Sequence, residues 1–225
     1  MQVKREIIVT ADGSKTIHMP DWNENYHSSH GALQEAKHVF LKYGLDCFKD
    51  QAEVSIFEVG FGTGLNAILT CEAAEINQQN IHYDGLEAYP VSVDEIEALD
   101  YVSLFENTES KANYLKIHAG SWDSDEVISP NFTLRKILQK LEEFTFEAEK
   151  YDLIYFDAFG PRTQEDMWQL SHFERLFHAL KPNGILVTYC AKGQVKRDLK
   201  AAGFTIEALP GPPGKREMTR ALKKA

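Results

Sequence analysis

Along this chain, short apolar runs alternate with stretches in which apolar residues recur every three or four positions. Val54, Ile56 and Phe57 predict a strand ending at Val59, and Leu65 to Ile76 follows with helical spacing. Ile81 to Leu86 reads as a second strand closing at Glu87, Pro90 opens a helical stretch containing Val93, Ile96 and Leu99, and Tyr114 to His118 reads as a short third strand. The acidic segment between Gly120 and Pro130 reads as a surface loop. Phe132, Leu134, Ile137, Leu138 and Leu141 read as an amphipathic helix, and the almost continuously apolar Tyr151 to Phe156 as a buried fourth strand. A helix over about Asp166 to Leu180, a turn at Pro182-Asn183-Gly184 and a fifth strand from Ile185 to Cys190 come next. A helix from about Gln194 to Ala202 and two strands, Thr205 to Leu209 and Met218 to Leu222, close the pattern. The alternation predicts an α/β fold with a mostly parallel sheet covered by helices.

The first fifty residues break this rhythm. Ile7 to Val9 and Thr16 to Met19 flank Asp12-Gly13, a dipeptide suited to a tight turn, which predicts a hairpin. Residues 21–31 are polar, aromatic and aperiodic, and read as a loop, with His27 and His30 solvated or capping. Ala32, Leu33, Ala36, Val39, Phe40 and Tyr43 then recur at helical spacing up to Gly44. The expected organisation is an extension over residues 1–50 and one domain over residues 51–225, within what 225 residues can bury around a single core. No apolar run is long enough for a membrane span and the start lacks a hydrophobic signal region, so a cytoplasmic protein is expected. Three widely spaced cysteines offer no disulfide framework, and no metal site is expected.

Candidate chemistry gathers where predicted strands end. E-V-G-F-G-T-G, Glu58 to Gly64, places Gly60, Gly62 and Gly64 directly after a strand, as a turn approaching a ligand requires. A dinucleotide fingerprint needs a glycine at position 65, which is leucine, so NAD is disfavoured. An acidic residue followed by G-x-G-x-G resembles motif I of class I S-adenosylmethionine (SAM) methyltransferases. Glu87, 23 residues beyond Gly64, stands where a carboxylate can accept both hydroxyls of a ribose.

The resemblance sharpens at G-F-G-T-G-L-N (60–66), Y-D-L-I-Y-F-D-A-F-G-P (151–161), D-M-W (166–168), A-L-K-P-N-G (179–184), A-A-G-F (201–204) and G-K-R-E-M (214–218). Together with Y-H-S-S-H-G-A-L-Q-E-A-K-H-V-F-L (26–41), these are similar to the bacterial tRNA 5-methylaminomethyl-2-thiouridine methyltransferases over roughly residues 21–222. The resemblance implies the Rossmann-like class I fold, with a seven-stranded sheet ending in an antiparallel hairpin. It implies SAM as cofactor, held by Glu58, Gly60, Phe61, Gly62, Gly64, Asn66 and Glu87, with neither FAD nor metal. Asp157 and Phe159 would serve the chemistry, while Tyr26, Trp168, Lys215 and Arg216 would contact substrate, the anticodon arm of a tRNA. The reaction would convert 5-aminomethyl-(2-thio)uridine at the wobble position to the methylaminomethyl form. Many relatives fuse this domain to an FAD-dependent oxidase; no oxidase is expected here, and the aminomethyl-uridine would come from elsewhere. An adenine-holding Asp is not evident, Asp123, Asp125 and Asn131 being the nearest candidates, and Ala158 replaces an expected glycine. A small-molecule amine methyltransferase, an aminopropyltransferase and a non-catalytic SAM-binding subunit remain alternatives on the same fold.

Charge adds the last expectation. The net charge is −10, but from Lys181 onward ten basic residues face three acidic ones, a surplus of +7 that leaves −17 on the first 180 residues. The C-terminal third is therefore expected to face a polyanion, with Lys215 and Arg216 in the proline-stiffened loop as a phosphate clamp. The aromatic segment from Trp22 to His30 is the alternative substrate side.

Overall fold

The computed structural model describes residues 4–225. An eight-stranded sheet forms the centre, in the order β10-β11-β9-β8-β4-β5-β7-β6. Its strands are β4 (Glu53–Val59), β5 (Asn80–Glu87), β6 (Asp125–Ser129), β7 (Phe132–Leu138), β8 (Tyr151–Phe156), β9 (Leu180–Thr188), β10 (Thr205–Pro210) and β11 (Glu217–Leu222). β7, β5, β4, β8 and β9 run parallel to one another, while β6 and β11 are antiparallel to their neighbours. Side chains alternate across the sheet as a two-residue period demands. Ile56, Tyr83, Leu134, Leu153 and Tyr155 join one buried cluster, and Phe57, Ile137, Ile154, Phe156 and Leu186 the other.

The helices are α1 (Ala32–Ala36, continued by a π-helical Lys37–Lys42), α2 (Leu65–Asn77), α3 (Val93–Leu99), α4 (Thr108–Ala119), α5 (Leu170–Ala179) and α6 (Gly193–Ala201). α5 and α6 supply Phe173, Leu176, Val195 and Leu199 to the second cluster. α2 and α4 supply Leu65, Ile68, Tyr114 and Ile117 to the first. Residues 4–50 have no core of their own. β1 (Glu6–Val9), β2 (Lys15–Met19) and β3 (Glu24–Asn25) make a small antiparallel sheet, and Ile17, Ala32, Val39 and Phe40 pack into the same cluster as Val54 and Leu65.

Three expectations are corrected between residues 108 and 141. Tyr114 to His118 is helical, because Asn107 caps the Ser110 amide at 2.6 Å and Ser110, Asn113, Tyr114 and Ile117 bury one face at three- and four-residue spacing. The supposed acidic loop contains β6, and the supposed helix after Pro130 is β7, whose buried Phe132, Leu134 and Lys136 follow strand periodicity. The true third parallel strand is thus β7, and β6 brings the sheet to eight strands where seven were expected.

Within β5, Asp84 is fully buried. Burial alone would raise its pKa, but hydrogen bonds from His82, from the Tyr151 hydroxyl at 2.6 Å and from Lys150 Nζ at 3.0 Å outweigh that and hold it at about 2. A depressed folded-state pKa contributes stability that is present above the unfolded value near 3.8 and lost as pH falls through 2. The expected contribution is about 2 kcal/mol, roughly half of it gone at pH 3. Asp84→Asn should remove that portion of the acid dependence, measured as the change in urea midpoint between pH 6 and pH 3.

Candidate functional site

The order of strands reverses between β4 and β8, so their carboxyl ends, with that of β5, open one cleft. Its volume is about 1890 Å³, ample for a nucleotide-sized ligand and part of a second one. The glycine loop crosses its floor. The amides of Gly60 and Phe61 both donate to the Leu86 carbonyl at 3.0 Å, which folds the chain back over the end of β5. Gly60 has φ 89°, and a Cβ there would lie 2.7 Å from the Asp157 carbonyl oxygen, so both backbone conformation and clearance demand glycine. Gly64 is the N-cap of α2, so the helix begins where the loop ends.

Two carboxyl groups meet behind this loop. Asn66, buried in the first turn of α2, donates from Nδ2 to Glu58 Oε1 at 2.8 Å and to Asp157 Oδ2 at 2.9 Å. Glu58 lies wholly inside. Burial pushes its pKa well above the ordinary value, the Asn66 bond opposes this, and the Asp157 charge adds to it. Asp157, at the cleft wall, is pushed up to about 7 by burial and by the Glu35 charge, against the Asn66 bond and Lys215. Glu58 Oε2 and Asn66 Oδ1 are buried without a hydrogen-bond partner. At neutral pH this pair retains a proton that two ordinary carboxylates would have lost.

Of the sequence-predicted residues, Gly60, Phe61, Gly62, Asn66, Glu87, Asp157, Phe159, Tyr26 and Lys215 line the cleft. Glu58 and Gly64 lie behind it. Glu87 accepts from the Gly62 amide at 2.9 Å through Oε2 and from the Tyr89 amide at 2.8 Å through Oε1. It therefore props the glycine loop, while each oxygen keeps a lone pair directed elsewhere. Phe159 is edge-on to Trp22 and Tyr26, at 5.8 and 5.0 Å between ring centres. Glu24 Oε1 accepts from Thr163 Oγ1 at 3.1 Å, so residues 20–29 are latched across the loop that follows β8.

The expected substrate contacts require correction. Trp168 is 4% exposed and packs on Phe156, Phe173 and Tyr189. Its Nε1 donates to the Phe159 carbonyl at 2.8 Å, so it supports the loop from beneath instead of offering a stacking face. Lys215 and Arg216 do not act together. Lys215 turns inward and pairs with the buried Glu35, whereas Arg216 is exposed outside the cleft. His27 is not a solvated loop histidine. Its Nδ1 is hydrogen-bonded to the Thr16 hydroxyl at 3.2 Å and to the Tyr101 hydroxyl at 3.4 Å, and burial pushes its pKa down to about 4. Fewer basic side chains are free than the sequence suggested: Lys181, Lys196, Lys215, Arg220 and Lys223 are ion-paired within the fold, Lys181, Lys215 and Lys223 with acids of the first 180 residues.

Other lining residues escaped sequence reasoning. Gln139 to Glu142 border the cleft beyond Glu87, hidden while the preceding strand was read as a helix. Glu35 looked like an ordinary polar position of an amphipathic helix. Trp22, by contrast, opens the segment offered as the alternative substrate side, and it lines the cleft.

The model of a family described as S-adenosyl-L-methionine-dependent methyltransferase matches residues 108–224. Among curated proteins, the tRNA 5-methylaminomethyl-2-thiouridine biosynthesis bifunctional protein MnmC of Cupriavidus necator is 30% identical over 95% of this chain and 34% of its own length. That of Cupriavidus metallidurans is 31% identical over 95% of this chain and 33% of its own length. The chain thus spans about a third of these relatives. Among solved structures, MnmC2 from Aquifex aeolicus superposes with a TM-score of 0.77 at 22% identity, covering 100% of this chain and 71% of that one. The likeness bears on the fold.

The raised pKa of Asp157 has a consequence for stability. A carboxyl whose folded-state pKa is about 7 and unfolded value about 3.8 holds its proton in the fold, so stability declines as pH rises between these values. Asp157→Asn carries no such charge. The stability of that variant relative to wild type is expected to grow by about 2 to 3 kcal/mol from pH 5 to pH 8 in urea unfolding, and a constant difference would mean an ordinary carboxylate.

Proposed function

The chain belongs to the S-adenosyl-L-methionine-dependent methyltransferase family, and we propose that it methylates the primary amine of 5-aminomethyl-(2-thio)uridine at the wobble position of tRNA. The observation that carries this reading is Asp157, a carboxyl held near pKa 7 beside an aromatic wall at the end of β8. The names of the MnmC relatives, which concern biosynthesis of the methylaminomethyl nucleoside, support it.

The residues at the cleft floor suit SAM. The backbone of Gly60 to Gly64 leaves the clearance that a side chain would fill. Glu87 has lone pairs left for the ribose hydroxyls. Gln139 to Glu142 border the place left for adenine. Once bound, SAM supplies an electrophilic methyl group. The protein's part is to present the amine neutral and aligned, and positioning alone is worth up to about 7 to 11 kcal/mol in ideal systems. Asp157 Oδ accepts a hydrogen bond from the amine and takes the proton the nitrogen gives up, a role suited to a pKa near neutrality. Phe159, flanked by Trp22 and Tyr26, provides an apolar surface for the uracil ring, as proteins reading unpaired RNA bases commonly do.

The anticodon arm would approach the mouth of the cleft, where Arg162 is exposed. An oxidative activity would have to generate the aminomethyl group beforehand, and the cytoplasm is where such a substrate would be met. Among the described residues no helix is long and apolar enough to cross a membrane.

Incubation with labelled SAM and tRNA carrying 5-aminomethyl-uridine should place label in the wobble nucleoside, and tRNA lacking the aminomethyl group should stay unlabelled. Label confined to small amines, or none at all, would overturn the reading. Glu87→Ala should weaken SAM binding by calorimetry by about 1.5 to 3 kcal/mol, the scale of hydrogen bonds to a charged group. Asp157→Ala should keep SAM affinity within a few-fold yet slow methyl transfer by roughly 100-fold or more, as loss of a positioned acid-base group does.

A further inference from the structure

Lys215 points into the cleft but is already engaged. Its Nζ pairs with Glu35 Oε1 and lies 3.9 Å from the centre of the Tyr189 ring. The other oxygen of Glu35 accepts from the Ser28 amide at 2.7 Å, which fixes the carboxylate from the side of the N-terminal segment. Tyr189, at the end of β9, donates its hydroxyl to the Ala158 carbonyl at 2.8 Å, one residue beyond Asp157. A continuous path of contacts therefore runs from α1 through the β10–β11 loop and Tyr189 to the backbone that carries Asp157.

We propose that Lys215 is a positioning residue, and not a phosphate contact, which holds Tyr189 against the Asp157–Phe159 loop and offsets the charge of Glu35 beside Asp157. An ammonium bonded to a buried carboxylate and seated on an aromatic face has little left to offer a phosphate, and freeing it would strand Glu35 in a desolvated place. Asp157 is faced by Glu35 of α1, Glu58 of β4, Tyr83 of β5, Tyr189 directly after β9 and Lys215 of the β10–β11 loop. Within that set Lys215 is the one cation. Its field favours the ionised form of Asp157 and that of Glu35 disfavours it more strongly, so the two oppose each other. Removing one member should therefore move Asp157 in the direction set by the charge that remains.

This inference rests on the reading of Asp157 as the group that receives the amine proton, and the test keeps the two apart. Asp157 is titrated by carboxyl-carbon NMR in the full-length protein without tRNA, with Asp157→Asn assigning the signal. Lys215→Met should raise the midpoint by about half a unit, Glu35→Gln should lower it by at least as much, and the double variant should fall between the two single variants. The acid limb of the pH profile of methyl transfer should move in parallel, while tRNA affinity at fixed pH and its salt dependence stay within two-fold of wild type. Unmoved midpoints, or shifts of the same sign in both single variants, would overturn the proposal. So would a Lys215→Met protein whose tRNA binding loses about one unit of log–log salt slope, the mark of a lost phosphate contact. If tRNA is not methylated by the wild-type protein, the activity reading fails while the titrations still decide the role of Lys215.

Discussion

A single side-chain amide stands between two carboxyl groups, and much of the architecture serves to keep it there. Asn66 can reach Glu58 and Asp157 together only because β4 and β8 are neighbours in the sheet and α2 starts immediately after the glycine loop. Moving the first turn of α2 by one residue would turn the amide away and leave two like charges facing each other in a desolvated space, at a cost of several kcal/mol. The retained proton is the remaining relief. An acid poised near neutrality is thus a result of strand order and helix register as much as of residue type.

The same economy governs the neighbouring groups. Glu87 supports the loop that it borders, since both of its oxygens accept backbone amides. Trp168 and Tyr189 donate to the Phe159 and Ala158 carbonyls, so the segment after β8 hangs from two aromatic side chains beneath it. Aromatic residues with one polar atom suit this task, because the ring fills the core while its N–H or O–H satisfies a backbone acceptor. The N-terminal strap closes the remaining side through Trp22, Tyr26 and Glu24.

Legibility in the sequence followed the range of the interactions. The loop from Glu58 to Gly64 and the acids at Glu87 and Asp157 were readable because each is announced by a strand ending beside it. The stretch from Tyr114 to Leu141 was misread because apolar residues at 132, 134, 137, 138 and 141 satisfy a helical period as well as a strand, and the deciding contact is the pairing of β7 with β5. With that strand displaced, Gln139 to Glu142 could not be recognised as cleft residues. Trp168 and Lys215 were identified as site residues by motif alone, yet their orientations depend on Phe156, Tyr189 and Glu35, which lie 12, 26 and 180 positions away. The five ion pairs that absorb half of the C-terminal basic residues are likewise invisible to a count of charges.

The clasp between the two ends of the chain bears on how the molecule is born. Glu35 meets Lys215 across 180 positions and His38 meets the Pro210 carbonyl across 172, while β11 inserts between β9 and β10 in the sheet. A chain emerging from the ribosome can collapse its early helices and central strands, but Glu35 and His38 must wait for their partners until the β10–β11 hairpin arrives. Contacts of such long range form slowly because loop closure precedes their reward. Competence for ligand would accordingly appear only once β11 has joined the sheet, and the nascent intermediates before it would be the ones most dependent on chaperones.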